Sequence, residues 1–159
     1  PDVVLVVVDR WEVTDRVHEG RWTNVTEPAF ARYLSQELDV AVATASARGG
    51  AVALATAPYY FRGERPDGGR WPEDDPVRVD AFNRIVRDVA ARHASVAAVV
   101  DLGGRTSTGG RYTRVVGGVQ MRYDGVHFTR AADRWLAPWL VPQLTAIATG
   151  DALAPPPGR

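Results

Sequence analysis

Cysteine is absent from the 159 residues, which removes disulfides, thiolate metal sites and a cysteine nucleophile from consideration and leaves the compartment open. Lysine is absent as well. All 19 basic residues are arginine, which we read, with the abundance of alanine and valine, as codon bias rather than function. Neither charge sign is in excess, since 19 acidic residues balance the arginines and the pI is near 7.4. That balance gives no electrostatic reason to expect nucleic acid or an anionic membrane surface as partner. Histidine occurs only three times, without an H-x-H or H-x-x-x-H pair, so neither a metal centre nor another cofactor is expected. The longest uninterrupted apolar run, "VVLVVV" from Val3 to Val8, is far too short to span a bilayer. No secretory signal is visible.

What is present is ordinary for one globular domain: 45% apolar and 24% charged residues, in a chain long enough to bury about 68–70% of its unfolded surface. The chain opens at Pro1 inside what reads as a buried strand, so it is expected to be a piece of a longer polypeptide.

The run "PDVVLVVVDRW" is continuous and β-branched, the pattern of a strand covered on both faces. A helix follows, with Thr26 as N-cap, Pro28 in the first turn, Gly49 and Gly50 as stop, and Phe30, Tyr33, Leu34, Leu38 and Val42 on one face. "AVALATAPYY" is a second buried strand, and the polar stretch 61–76 a long loop of the kind that carries function. A second helix is expected from about Pro76 to His93, with Val79, Phe82, Ile85, Val86 and Val89 inward. "SVAAVVDLGG" reads as the third strand. The Gly-rich connection after it holds a short hairpin around Val115 to Met121. A last helix starts after Thr129 and carries Trp135, Leu136, Trp139, Leu140, Leu144 and Ile147, with Pro138 and Pro142 expected to kink or split it. The tail "LAPPPGR" is expected to be unstructured. Strand–helix alternation with crossovers of this length predicts a parallel sheet with helices on both faces, a three-layer α/β/α, flavodoxin-like fold. Residues 1–147 form the domain and 148–159 a Pro-rich tail. Three strands make a small sheet, and the very apolar first strand falls on its edge, where a missing neighbour would belong.

Ligands in such sheets bind beyond the carboxyl ends of the strands. There the sequence places Asp9, Arg10, Trp11 and Glu12, then Pro58, Tyr59 and Tyr60, then Asp101, with the "DGVH" turn returning to the same rim. Asp124 and His127 are suited to one task. The carboxylate accepts the imidazole Nδ1–H, fixing tautomer and orientation, and Nε2 is left free to take a proton from a nucleophile. The bland alternative is a surface turn with a helix cap.

"RYDGVHFT" followed by a helix, after parallel strands of which the first ends "VVVDRWE", resembles the SGNH (GDSL-type) hydrolase and acyltransferase superfamily. It is most similar to the SGNH domain fused to membrane-embedded acyltransferase family 3 proteins, which O-acylate cell-surface glycans. The resemblance runs from Pro1 to about Leu144 and includes "DGVHFT…WLAPWLVPQL" and "FNRIVRDVAAR". It implies a Ser-His-Asp triad in an esterase or O-acyltransferase, an acylated glycan or other ester as substrate, an extracytoplasmic location (periplasmic or cell surface), and fusion to an upstream membrane acyltransferase domain. Asp124 and His127 match two members of the triad. The third, the Ser of a Gly-Asp-Ser block on the family's first strand, has no counterpart. Gly150-Asp151-Ala152 lies in the tail and lacks the Ser. The family's second-block Gly and its oxyanion Asn are missing too, which assigns the oxyanion or substrate contact to Arg10 or the Trp11 indole. The N-terminal strands of the fold are therefore expected to lie upstream.

Two further classes stay open: a non-catalytic flavodoxin-like module binding glycan or protein, and a nucleotide-binding Rossmann-like domain, disfavoured by the absent Gly-rich fingerprint. The Gly pairs at 103–104, 109–110 and 117–118 lack its spacing. Ser107 lacks a nucleophile elbow and decorates a flexible loop. Tyr59 and Tyr60 read as packing or as the wall of a glycan groove, and Asn24-Val25-Thr26 as a chance sequon. His18 and His93, without partners at local spacing, read as surface residues.

Overall fold

In a computed structural model the chain is described over residues 1–8 and 10–154. Along them run β1 (Val3–Val7), β2 (Arg16–His18), β3 (Arg21–Thr23), α1 (Pro28–Ser46), β4 (Ala51–Ala55), α2 (Pro76–Arg92), β5 (Ala97–Val100), α3 (Leu102–Thr106), β6 (Val115–Val116), β7 (Val119–Gln120) and α4 (Arg130–Ala148), with 3-10 turns at Arg10–Val13 and Pro72–Asp74. The main sheet is parallel in the order β1-β4-β5, with Leu5, Ala53 and Ala98 in one row.

Alternation along the strands sorts the side chains into two layers. Val6, Val52, Leu54 and Val99 face α1 and α2, and Phe30, Leu34, Leu38, Val42, Phe82 and Val86 close that core. Val3, Leu5, Ala51, Ala53, Ala98 and Val100 face α4, where Trp139, Leu140, Leu144 and Ile147 cover them. Small alanines in the central strand make room for the bulky residues of α4. The result is a mixed α/β arrangement with helices on both faces of a three-stranded parallel sheet, compatible with a flavodoxin-like fold.

Several expectations are corrected. β1 is not covered on both faces: Val3 to Val6 are half-buried and Val7 is 54% exposed, because β1 is an edge strand and α4 reaches only part of its face. Thr26 does not cap α1. The Asn24 carboxamide oxygen accepts both its N–H and its hydroxyl (3.0 and 2.6 Å), and Glu27 takes the cap position without a side-chain bond. Tyr33 is not in the core but stacks on Phe30 at 5.8 Å and meets the tilted His18 ring, from the unanticipated β2–β3 hairpin, at 4.4 Å. The third strand ends at Val100 instead of running on to Gly104, and Leu102–Thr106 form α3.

Pro138 and Pro142 neither split nor end α4. Both lie on its exposed side, four residues apart, so water can satisfy the carbonyls they leave unpaired while the buried face keeps its contacts. The tail is ordered as far as it is described. Leu153 packs on the α4 face of the sheet and the Ala154 N–H donates to the Ala94 carbonyl at 2.8 Å. The remainder, residues 155–159, lies outside the described residues, as does Asp9. No helix among the described residues is long and apolar enough to cross a membrane.

Candidate active site at the Asp124–His127 turn

The stretch 114–129 is built to present one turn. Gly117 and Gly118 close the short β6–β7 hairpin. Beyond it, Arg122 and Phe128 pair as an antiparallel bridge, and the Tyr123 N–H donates to the His127 carbonyl at 3.2 Å. Thr129 anchors the far side. Its hydroxyl donates to the Gln120 carbonyl at 2.7 Å and accepts the Ala132 N–H at 3.0 Å, which caps α4. The helix cap is thus Thr129, and Asp124 is free for other work.

Asp124 uses both oxygens. Oδ1 accepts the N–H groups of Val126 and His127 at 2.9 and 2.8 Å, and Oδ2 lies 2.7 Å from His127 Nδ1. Desolvation opposes ionisation, but the bonds from the His127 ring and from the two amides prevail and hold the Asp124 carboxyl well below the usual carboxylate range. The carboxylate therefore fixes the ring with Nδ1 as donor and Nε2 as acceptor. The ring stacks on Tyr123 at 5.8 Å and its side chain is 65% exposed. Among the described residues no hydrogen bond joins His127 Nε2 to a hydroxyl. Ser107 closes α3 with its Oγ buried and without a partner, so it is not the loop decoration expected of it.

The loop after β4 is tied to this turn. The Phe61 N–H donates to the Gly125 carbonyl at 3.2 Å, and Phe61 stacks on Tyr112 at 5.6 Å. Arg10 and Trp11 follow β1 at the same rim. Arg10 lies over the Trp11 ring at 4.3 Å and faces Glu73 at 3.9 Å, and Glu73 also accepts from Arg62 at 3.1 Å. Arg62, Arg114, Arg122, Tyr112 and Asp124 line one cavity of about 340 Å³. So Asp124 and His127 touch, while Arg10 connects to the cavity that Asp124 lines through Glu73 and Arg62. Trp11 is 62% exposed beneath the Arg10 guanidinium.

Three features of this rim escape sequence reasoning. Arg122 is 1% exposed, donates through Nη2 to the Thr106 hydroxyl at 3.1 Å, and has no acceptor for Nε or Nη1. Burial lowers its pKa against the opposing influence of Tyr60 and Tyr112, and burying an unpaired cation costs several kcal/mol. Asp74 is 6% exposed, with Oδ1 accepting the Arg62 N–H at 2.9 Å and Oδ2 unpartnered. Desolvation raises its pKa, and Glu73 adds to the rise while the Arg62 amide opposes it. Asp74 lines a second cavity, of about 440 Å³, that shares Phe61 and Tyr112 with the first.

The raised pKa of Asp74 gives a stability prediction. The folded state holds this proton more tightly than the unfolded chain does, so stability falls as pH rises through the folded value. The penalty is complete above the folded value and gone below the unfolded value of about 3.9. Asp74→Asn keeps the Oδ1 acceptor and is expected to raise Tm at pH 7, by an amount that shrinks as pH is lowered; calorimetry across that range checks both parts.

The other candidates are held by the fold. Tyr60 is in the core, and with Tyr59 it also lines the cavity of about 440 Å³ that Asp74 faces. Tyr59 donates to Asp80 and has its pKa pushed up to about 12 by burial and that carboxylate. His93 is half-buried, with Nε2 2.8 Å from Asp39, whose other oxygen accepts from Arg92 at 2.8 Å; the three tie α2 to α1, and neither His93 nor the stacked His18 is a free surface residue. Gly103 and Gly104 do follow a strand and open a helix, but for packing: a Cβ on Gly103 would meet the Ala57 carbonyl oxygen at 2.5 Å. Among the described residues no three His, Asp or Glu side chains cluster as metal ligands would. Comparison with protein-family models finds no match, and neither does comparison with curated proteins.

Proposed function

We propose that this chain carries the acid–base half of an SGNH-type active site, in an esterase or O-acyltransferase acting on acylated glycan outside the cytoplasm. The observation that carries the reading is the 2.7 Å contact of Asp124 Oδ2 with His127 Nδ1, on a turn that leaves Nε2 open to an incoming group. A serine hydroxyl from a segment outside this chain gives its proton to His127 Nε2 as its oxygen attacks the ester carbonyl. Collapse of the tetrahedral intermediate breaks the acyl–oxygen bond, and the imidazolium returns the proton to the leaving alkoxide. Water or a sugar hydroxyl then takes the acyl group by the same steps in reverse. The Trp11 indole N–H and Arg10 are assigned the oxyanion, in place of an Asn.

Two features support a nucleophile-bearing neighbour. β1 is an edge strand. Beside it an apolar groove of about 330 Å³, lined by Leu5, Val7, Leu102, Phe128, Leu136 and Val141, runs to within one residue of His127. An additional strand on β1 with its following helix in the groove would bring its carboxyl end to the rim. That the described residues offer Nε2 no hydroxyl favours the second reading, a non-catalytic module binding glycan or protein, for the chain by itself.

The test is ester turnover by the longest polypeptide that the coding region encodes. Turnover is expected to depend on a Gly-Asp-Ser block that follows an apolar strand upstream, and to be lost in His127→Ala. Turnover at the wild-type rate by His127→Ala would remove the assignment.

A further inference from the structure

Arg122 and Asp74 are a buried cation and a buried anion that do not meet, and each lines one of two cavities separated by the stacked rings of Phe61 and Tyr112. Each keeps donors or an acceptor without a partner among the described residues: Nε and Nη1 of Arg122, Oδ2 of Asp74. A buried polar group in this condition is costly unless a ligand completes it. The charge on the Arg122 side is also uneven. Arg62 shares Glu73 with Arg10, and Asp124 and Asp74 are the carboxylates that face Arg114, Arg122, Arg70 and Arg111 across the two cavities, so their walls keep positive charge in excess. That excess suits an anionic ligand. We propose that the paired cavities bind an acidic saccharide, its carboxylate held by Arg122 and Arg114, its ring against Phe61 and Tyr112, and a hydroxyl donated to Asp74.

The geometry fits this ligand class in each part. A carboxylate accepts from a guanidinium with charge-assisted bonds. An aromatic pair offers the apolar face that one side of a sugar ring needs, and Phe61 is 46% exposed. An unpartnered carboxylate oxygen is an acceptor for a sugar hydroxyl. The inference rests on the esterase reading only in making this saccharide the unit whose ester reaches His127, since Asp124 lines the same cavity. It names the substrate as a uronate-containing glycan.

The experiment measures binding without turnover, so it fails or succeeds independently of the triad. The chain is titrated with sodium D-glucuronate, D-glucose and sodium sulfate at matched ionic strength, read by amide and side-chain NMR shifts at Phe61, Tyr112 and Arg122 and by Tm. Glucuronate is expected to shift these signals and raise Tm, with glucose about tenfold weaker or worse. Arg114→Ala, at an exposed position, is expected to weaken glucuronate about tenfold while leaving the fold unchanged. Arg122→Met removes the binding if it folds; if it does not, Arg114→Ala decides. Equal binding of glucuronate and glucose, no binding of glucuronate, sulfate protecting as well as glucuronate, or an unaffected Arg114→Ala would each overturn the proposal.

Discussion

Replacing Asp124 by Asn is expected to lower ester turnover about 10⁴-fold in the polypeptide that carries the nucleophile, with the fold retained. The reason lies in the division of labour between the two carboxylate oxygens. Asn keeps an Oδ1 that accepts the Val126 and His127 amides, so the turn survives. Its Nδ2 replaces the oxygen that faces His127 Nδ1, and an amide nitrogen donates where the carboxylate accepted. The ring must then present Nδ1 as acceptor and carry its proton on Nε2, the nitrogen that should receive the serine proton. The imidazolium formed during attack also loses its counter-charge.

A readout independent of turnover exists in the chain alone. Nitrogen spectra of His127 should show the Nδ1–H tautomer in the wild type and a shift toward Nε2–H in the variant. Because the Asp124 carboxyl is held below its ordinary range, the ionised carboxylate is available to accept from Nδ1 at all pH values above that range and is lost only as acid drives the pH through the depressed value. An Asn variant within tenfold of wild type, or one with an unaltered tautomer, would overturn the role given to Asp124.

The helices were legible because they are periodic, and the strands because they are short, continuous apolar runs closed by polar residues. Phe30, Leu34, Leu38 and Val42 recur at steps of four and survive as one face of the core, while Val52 and Leu54 fall on one side of the sheet and Ala51 and Ala53 on the other. Asp124 and His127 were legible for a local reason, since three residues with a Gly between them can converge without help from elsewhere in the chain. The β2–β3 hairpin was not, because three-residue strands carry too short a pattern to read. Coverage of β1 was misread because an apolar run reports the preference of its side chains to be buried, not whether a neighbour is there to bury them.

Arg122 and Asp74 could not have been found from spacing. Charged residues in a Gly-rich loop are normally solvated, and their burial follows from the way the turn, α3 and the loop after β4 close on one another. The Asp39–His93 contact spans 54 positions and Thr56–Asp101 spans 45, so each required the fold before it could be seen. The prolines of α4 show the same dependence: neither splits the helix, because the cost of a missing amide depends on whether water reaches the carbonyl it would have served.

Gly125→Ala is expected to be the most damaging small change at the site. Gly125 has φ +82°, where an added Cβ costs about 1–2 kcal/mol by itself. It also lies against the Phe61 backbone: the new Cβ would fall 1.7 Å from the Phe61 carbonyl oxygen. Neither wall can give freely. The Phe61 N–H donates to the Gly125 carbonyl, Phe61 stacks on Tyr112, and Val126 packs into the core on α1 and α2. The turn must therefore move away from the β4 loop, taking Asp124 and His127 with it and opening the cavity that Phe61 shares with Arg122.

Gly118 separates the two contributions, since it has φ +78° but nothing within 4 Å of a built Cβ. Gly118→Ala should cost only the conformational part, and Gly125→Ala at least about 2 kcal/mol more in urea unfolding. The tautomer signature of His127 should be lost only in the second. Equal costs at the two positions would mean that the Phe61 loop and the catalytic turn are not locked together, and the site would then have to be assembled by something other than its own backbone.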